Sequence, residues 1–278
     1  TGDVLEDEDT SVTYDGPLIV MENRYSASAS EILAGALQDY GRAVVVGGEF
    51  SHGKGTVQAV LNLNQGPLTK LFGGDMGALK VTIQKFYRIT GASTQRKGVT
   101  PDIIIPDPNS YAKSRELDLD NALPWDRITP QKYLPSTKLA KVDMELLRKR
   151  SKSRVDSNDR FKSIVENVSY LTKKREETNI TVSLARIKKE DEINRKMYEK
   201  LKEEKETQDL SVSHFEEGLM ENKPKLTPEE EKKYKNDLVQ KKEDWVKRLR
   251  IDAGLEEALH IMDDLIGLAS GKNIAGKN

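Results

Sequence analysis

One serine and one lysine in this chain have the surroundings that covalent catalysis requires. Ser28 lies in Asn-Arg-Tyr-Ser-Ala-Ser-Ala-Ser-Glu at 23–31, and Lys54 lies in Gly-Lys-Gly-Thr-Val-Gln at 53–58. A serine hydroxyl becomes a useful nucleophile only beside a base. A lysine amine can be that base where its surroundings favour the neutral form. The pair predicts a serine–lysine hydrolase, provided that the fold brings the two side chains together.

Ser28 also fits a purely structural role. With Glu31 it forms Ser-x-x-Glu, the pattern in which a serine caps a helix and the glutamate returns a hydrogen bond. The two roles are compatible, because an acyl group on a serine at a helix start faces free main-chain N–H groups that can stabilise an oxyanion. By spacing alone, Ser26 and Ser30 remain rival nucleophiles.

Lys54 lies between Gly53 and Gly55, which allow a tight turn and a close approach to another element. The plainer alternative is an exposed loop lysine. A phosphate-binding loop is disfavoured, because residue 55 is neither Ser nor Thr and residues 56–61 have a strand pattern instead of a helix start. In a strand, Gln58 shares a face with position 54 and could orient the amine; otherwise it is an ordinary polar strand residue.

The other titratable side chains are weaker candidates. Asp39 could be a distant charge partner, but a structural or solvated carboxylate near a helix end explains it as well. His52 could replace Lys54 as the base, although a single histidine in a polar loop is usually just exposed. His214 and His260 complete no recognisable triad with it.

Composition sets outer bounds on function. The 278 residues fit one or two domains. The net charge of −1 provides no overall field for nucleic acid or a membrane surface. Cysteine is absent, which excludes disulfides and thiolate metal sites. No apolar run reaches about 18 residues, so no membrane span is predicted, and nothing in the composition calls for a metal or another cofactor.

Apolar runs predict the elements that position the two motifs. Residues 17–21 and 43–46 predict buried strands, and residues 32–40 between them predict a helix. A strand, a helix and a strand with short joins form a βαβ unit with parallel strands, which is typical of an α/β fold. Further strands are predicted at 56–63, 79–89 and 103–105.

Beyond this α/β part the pattern becomes helical. Pro-Asp-Pro-Asn at 106–109 is a strong breaker, and we place a domain boundary at residue 108. Residues 109–278, called the C-terminal region below, form a Lys- and Glu-rich, mostly α-helical domain whose charges are best explained as a solvated surface. Helices are predicted at 139–154, 161–173, 182–205, 228–250 and 255–268.

Four blocks of the sequence, in order, resemble the bacterial tail-specific proteases, also called C-terminal processing peptidases. They are residues 23–31, Gln-Asp-Tyr-Gly-Arg-Ala at 38–43, residues 53–58, and Ser-Thr-Gln-Arg-Lys-Gly-Val-Thr-Pro-Asp at 93–102. The helical remainder, including Asn-Ala-Leu-Pro-Trp-Asp at 121–126, resembles the C-terminal region of the long periplasmic branch of that family. The resemblance implies a crotonase-like α/β protease core.

The resemblance also implies a role for each candidate residue. Ser28 matches the nucleophile, Lys54 the general base and Gln58 the residue that positions the base. Asp39 matches an acid with a supporting role, and Ala29 would supply one oxyanion N–H. The implied activity is cleavage of proteins with apolar C-terminal tails in the bacterial periplasm, with no cofactor and with a periplasmic adaptor protein as a possible partner.

Two departures from the family pattern qualify these expectations. The loop before Lys54, residues 48–53, is one residue longer than usual. The resemblance further implies that this chain is a C-terminal fragment, because a signal sequence, an N-terminal helical region, a PDZ domain and the first part of the core have no counterpart in it. One usual oxyanion donor comes from that part, which leaves the activity of the fragment alone open.

A function of a different class competes with proteolysis. The long charged C-terminal region is larger than a minimal protease needs, so the chain could instead be a noncatalytic helical module that binds a partner or self-associates. Contact between Ser28 and Lys54 would favour a preserved catalytic site, whereas wide separation would favour an inert fragment.

Overall fold

The computed structural model of the chain describes residues 8–9, 11–65, 75–201 and 227–270. The first of its two parts consists of short strands and one helix, α1. In chain order the elements of this part are β1 (Ile19–Glu22), α1 (Ala29–Asp39), β2 (Val44–Gly47), β3 (Thr56–Asn62), β4 (Ala78–Lys85) and β5 (Ile103–Ile104).

The second part is helical. Its helices are α2 (Met144–Ser157), α3 (Asp159–Glu176), α4 (Leu184–Leu201), α5 (Pro228–Arg250) and α6 (Ala253–Ala269). Helix α2 begins later than predicted because Asp143 caps it, with its carboxylate accepting the Leu146 N–H at 3.0 Å. Residues 202–205 of the predicted helix 182–205 lie outside the described residues. None of the helices in the described ranges has the length and apolar character needed to cross a bilayer.

The predicted βαβ unit is confirmed. Strand β2 lies in the middle of a parallel sheet with the order β1–β2–β5, and α1 makes the connection from β1 to β2. β2 is fully buried, as its uninterrupted apolar sequence predicts for a central parallel strand. β3 and β4 form a separate antiparallel pair. The fold is therefore an α/β region followed by a helical region.

The main hydrophobic core joins both regions. Val44 and Val46 of β2 lie in one cluster with Leu147 of α2 and with Ile261 and Leu265 of α6. On the other face of β2, Val45 packs with Ala34 of α1. The helices of the C-terminal region thus cover the face of the sheet that α1 leaves open. The domain boundary at residue 108 stays a prediction. The hydrophobic core extends across it, because one cluster contains residues from both sides.

Candidate active site

Ser28 occupies a strained position where the chain turns from β1 into α1. Its φ of 57° and ψ of −109° lie in the left-handed half of conformational space, which residues with a side chain avoid at a cost of about 1–3 kcal/mol. A serine on a strained strand-to-helix turn is the arrangement that presents the nucleophile in α/β-hydrolases. Ser28 is half-buried. The residue is neither enclosed in the core nor fully exposed to solvent.

A capping box joins Ser28 and Glu31, as the Ser-x-x-Glu pattern predicts. The Glu31 carboxylate accepts the Ser28 main-chain N–H at 2.8 Å, and the Glu31 main-chain N–H donates to the Ser28 main-chain carbonyl at 2.9 Å. Ser28 therefore has the structural role of a helix cap. That role is compatible with a nucleophile at the start of a helix, which stays a prediction.

The main-chain N–H of Ala29, the residue that follows Ser28, is an unused donor. Ala29 is the first residue of α1, and within the described ranges its N–H donates to no acceptor, as expected for the first turn of a helix. It lies at the helix end that carries partial positive charge. These properties suit the oxyanion donor that the family resemblance implies, and that role stays a prediction.

Glu31 joins the serine turn to the lysine loop. Its side chain is fully buried, and Oε2 accepts the main-chain N–H of Ser28 at 2.8 Å and that of Lys54 at 2.9 Å. Oε1 accepts the Ser51 hydroxyl at 2.5 Å and the Gly53 N–H at 2.6 Å. The main chain at both candidate catalytic positions is thus within hydrogen-bond distance of a single oxygen atom.

The sequence signal for Glu31 was present but incomplete. Ser-x-x-Glu identifies Glu31 as the partner of a helix cap, and the capping box forms. Nothing in the local pattern predicts its other three hydrogen bonds, because their donors lie twenty or more positions away at Ser51, Gly53 and Lys54. Such a contact follows from the packing of α1 against the loop and is invisible to motif spacing.

The glycines beside Lys54 allow the loop to approach a neighbouring turn closely, as predicted. Gly53 has φ of 90°, and a Cβ there would lie 2.9 Å from the Arg96 carbonyl carbon. A Cβ on Gly55 would lie 2.6 Å from the main-chain nitrogen of Gln95. The Gly55 N–H also donates to the buried Gln95 side chain at 2.9 Å. Lys54 itself is half-buried.

Strand alternation does not place Gln58 on the same face as Lys54. β3 begins at Thr56, so Lys54 lies in the preceding loop and the shared-face argument does not extend to it. Thr56 is buried whereas Gln58 is exposed, and the pairing with β4 shifts register between Val57 and Gln58. No hydrogen bond within the described ranges connects the side chains of Ser28, Lys54 and Gln58, and their roles stay predictions.

Asp39 lies at the far end of α1 from Ser28. Its carboxylate forms a two-point pair with Arg88, at 2.8 Å to Nε and 2.5 Å to Nη2, and the carboxylate is 8% exposed. Gln38 accepts a further hydrogen bond from the same guanidinium at 2.8 Å. Asp39 therefore fastens α1 to the segment after β4, which fits a supporting role.

His52 contributes to the site through its main chain. Its N–H donates to the Ser26 carbonyl at 3.0 Å, and its carbonyl accepts the Glu116 N–H at 3.0 Å. Its Nδ1 is buried and has no hydrogen-bond partner in the described part of the chain. His260 lines a separate cavity of about 350 Å³ between α2, α3 and α6, and His214 lies outside the described residues.

A second buried carboxyl group, which the sequence did not identify, lies at the end of β1. Glu22 is 6% exposed, and neither carboxyl oxygen has a hydrogen-bond partner in the described part of the chain. Burial is the main cause that raises the pKa of Glu22 to about 8; the charges of Glu31 and Asp102 contribute to this increase, and the charge of Arg88 opposes it. Glu22 therefore carries its proton at neutral pH. A glutamate that ends an apolar run gives no sign of this in the sequence.

Comparisons with known proteins cover nearly the whole chain. Residues 3–105 match the family model described as Peptidase family S41, and residues 109–267 match the model described as the C-terminal domain of tail specific protease. The tail-specific protease of Haemophilus influenzae is 40% identical over 178 residues, which is 62% of this chain and 25% of that protein. The chain thus spans about a quarter of that relative's length.

Other relatives match the first region. The carboxy-terminal-processing protease of Bartonella bacilliformis is 44% identical over 97 residues, covering 35% of this chain and 20% of that protein. Among solved structures, a photosystem II D1 C-terminal processing protease is 37% identical and covers 32% of this chain and 20% of that one, with a TM-score of 0.27. At that TM-score the superposition carries no argument about the fold.

Proposed function

Because this chain belongs to the tail-specific protease family, we propose that it carries the nucleophile and the general base of a serine-type peptidase. The observation that carries the proposal is the Glu31 carboxylate, whose Oε2 holds the main chain of both Ser28 and Lys54. This brings the main chain of a strained serine and that of a half-buried lysine together. The unused Ala29 N–H at the helix start supports the same function.

In the proposed reaction the neutral Lys54 amine takes the Ser28 proton as Oγ attacks the scissile carbonyl carbon. The resulting oxyanion accepts a hydrogen bond from the Ala29 N–H, and the start of α1 stabilises its charge. The tetrahedral intermediate collapses, and the Lys54 ammonium gives its proton to the leaving amine. A water molecule, deprotonated by Lys54, then hydrolyses the acyl-serine ester and regenerates Ser28.

Gln58 and Asp39 have indirect roles in this proposal. Gln58 orients the Lys54 amine, which is the role that the family resemblance implies for it. Asp39 holds α1, and hence the serine turn, through its pair with Arg88. Both are positioning residues, because neither touches the reacting atoms.

The proposed substrates are proteins with apolar C-terminal tails, and the proposed site of action is the bacterial periplasm. The names of the relatives, tail-specific and carboxy-terminal-processing protease, support the preference for chain ends. A periplasmic adaptor protein is part of the same proposal. Because the chain spans a quarter of the Haemophilus relative, the activity is proposed for the full-length protein.

Single substitutions in the full-length protein test the assignment. Ser28→Ala and Lys54→Ala should each abolish cleavage of a peptide with an apolar C-terminus while circular dichroism shows an unchanged fold. Ser30→Ala is the matched control, since Ser30 is a rival by spacing and is exposed on α1. Cleavage retained by either of the first two variants, or lost only in the third, contradicts the assignment.

The alternative function, a noncatalytic helical module, has less support from the fold. The module would have to be separable, but Leu147, Ile261 and Leu265 share a core with Val44 and Val46 of the sheet. A fragment of residues 109–278 alone would expose those apolar side chains. A binding test of the alternative therefore needs the whole chain with Ser28→Ala, and partner binding without any cleavage by the unsubstituted protein would favour the module.

A further inference from the structure

Arg115, at the beginning of the C-terminal region, reaches into the surroundings of the lysine loop. Its guanidinium donates to three main-chain carbonyl groups: Ser51 at 3.1 Å, Arg96 at 3.1 Å and Lys97 at 2.9 Å. The guanidinium carbon also lies 4.6 Å from the centre of the Phe50 ring. A single side chain thus contacts two segments of the α/β region that are far apart in sequence.

The two segments are the ones that enclose Lys54. Residues 50 and 51 belong to the loop that leads to Lys54, and residues 96 and 97 belong to the turn that this loop approaches. The Arg96 N–H donates to the Gly53 carbonyl at 2.7 Å, and a Cβ on Gly53 would collide with Arg96. By holding Ser51 and Arg96 together, Arg115 fixes the close approach on which the position of Lys54 depends.

The next residue reinforces this contact. The Glu116 N–H donates to the His52 carbonyl at 3.0 Å, and its carboxylate accepts the Gln95 side chain at 2.9 Å. Gln95 in turn holds the Gly55 N–H. The loop is therefore fastened on both sides of Lys54 by a short stretch that lies beyond residue 108.

The chemistry of Arg115 favours a geometric role over a charge pair. In the described part of the chain no carboxylate lies within ion-pair distance of its guanidinium, which is half-buried. Burial, helped by the nearby charge of Arg24, lowers the pKa of Arg115. A planar guanidinium offers several donors in fixed directions, and here they are used on carbonyl oxygens whose positions define the loop.

We propose that Arg115 is a positioning residue for the peptidase reaction: it clamps the Lys54 loop against the turn at 95–98. This inference rests on the proposed function, and it adds that the C-terminal region helps to build the catalytic site. Arg115 does not touch the substrate. It acts by limiting how far the Lys54 main chain can move from Ser28, in a loop that is one residue longer than the family resemblance leads us to expect.

The test compares three variants of the full-length protein. Arg115→Ala should lower kcat about 10- to 100-fold, because a misplacement of about 1 Å is enough for such a loss, while KM stays within about twofold. Arg115→Lys keeps the positive charge but loses the planar guanidinium with its several donors. Its kcat should lie between those of the unsubstituted protein and Arg115→Ala. Arg148→Ala is the matched control, since Arg148 also donates to a main-chain carbonyl, that of Asp102, and should leave kcat unchanged.

Hydrogen exchange provides a readout that does not depend on catalysis. In Arg115→Ala the amides of residues 50–55 should exchange faster, while those of α6 keep their rates. Faster amide exchange throughout the chain would show that Arg115 stabilises the whole fold and does not act specifically on the Lys54 loop. That result would overturn the proposal. If Arg115→Ala does not fold, Arg115→Lys takes its place, with a smaller loss of kcat and the same local increase in exchange.

The outcomes separate this inference from the proposed function. Unchanged kcat and unchanged loop exchange in both Arg115 variants, with Ser28→Ala and Lys54→Ala inactive, would overturn the role of Arg115 alone. Full activity of Ser28→Ala and Lys54→Ala would overturn the proposed function. In that case faster loop exchange in Arg115→Ala would establish the clamp without its catalytic consequence, and the positioning role would fall with the function.

Discussion

The α/β region and the helical region each bury a fully enclosed glutamate, and the two groups are held in different ways. Glu31 receives its hydrogen bonds from three main-chain N–H groups and a serine hydroxyl. Glu257 is held by a single cation, the Arg154 guanidinium, at 2.9 to 3.1 Å. The first carboxylate arranges loops, and the second joins side chains on two helices.

The difference shows where precise geometry is required. A carboxylate that binds main-chain groups fixes the path of the chain itself, so its replacement moves the residues on that path. A pair between side chains can be replaced with little movement of the helices, since α2 and α6 also pack through Leu147, Ile261 and Leu265. The two regions should therefore respond differently to equivalent substitutions.

The largest expected contrast is between Glu31→Gln and Glu257→Gln. In Glu31→Gln the amide NH₂ must face either the N–H groups of Ser28 and Lys54 or the Ser51 hydroxyl and the Gly53 N–H. The Ser51 hydroxyl can turn to accept from the amide, so at least one hydrogen bond to the main chain is lost. We expect peptide cleavage by the full-length protein to fall about 100-fold. Glu257→Gln should cost about 1–3 kcal/mol of stability with unchanged kcat. Equal losses of activity in the two variants would remove the contrast.

A second contrast concerns glycines in different settings. Gly55→Ala places a Cβ 2.6 Å from the Gln95 nitrogen, and the resulting displacement should cost about 1–3 kcal/mol, measured by chemical denaturation. In Gly35→Ala, within α1, the new Cβ would lie no closer than 3.5 Å to its nearest neighbours, which is an ordinary contact distance. This variant should be more stable by up to about 1 kcal/mol because alanine has the higher helix propensity. A neutral Gly55→Ala would show that the loop need not approach the turn so closely.

The unpartnered carboxyl of Glu22 predicts a pH dependence of the stability of the α/β region. The folded state raises the pKa of Glu22 to about 8, so the folded protein binds more protons than the unfolded chain between about pH 4.5 and 8. Stability from this group is complete below that window and is lost as pH rises through it, by at most about 5 kcal/mol.

Glu22→Gln isolates this effect, because the amide is neutral at every pH in the window. The melting temperatures of the two proteins should differ little at pH 5, and the variant should be the more stable one at pH 9. Parallel melting curves for the two proteins across that range would contradict the protonated state of Glu22.

The smallest expected effect is on the helix surface. Lys152 and Asp156 form an exposed pair at 2.8 Å on α2, and such pairs contribute little because water screens them. Lys152→Ala should change the free energy of unfolding by no more than about 0.5 kcal/mol and leave cleavage unchanged. A larger loss would mean that the charged surface of the helical region has a role beyond solvation.

The sequence predicted the parts of the fold that are encoded locally. The apolar runs at 17–21 and 43–46 and the helix between them led to the βαβ unit, and the helix predicted at 228–250 has the bounds of α5. Helix α2 begins five residues later than its periodicity indicated, because Asp143 caps it. Hydrophobic periodicity and capping hydrogen bonds both act over a few residues, so an error in a predicted helix start amounts to only a few residues.

The sequence singles out the candidate site residues but not their contacts. Ser28 and Lys54 stand out by type and motif, whereas the strained φ of Ser28, the four hydrogen bonds of Glu31 and the reach of Arg115 depend on segments brought together by folding. The shared-face argument for Gln58 failed because β3 begins two residues after Lys54. Spacing predicts a face only inside a regular element.

The packing of α6 against the sheet has a consequence for how the chain is made. Val44 and Leu265 lie in one core cluster, so the contacts that bury the sheet span more than two hundred positions of chain. Such long-range closure slows folding and prolongs the exposure of apolar strands. The face of the sheet that carries Val44 and Val46 therefore stays incompletely covered until α6 has left the ribosome.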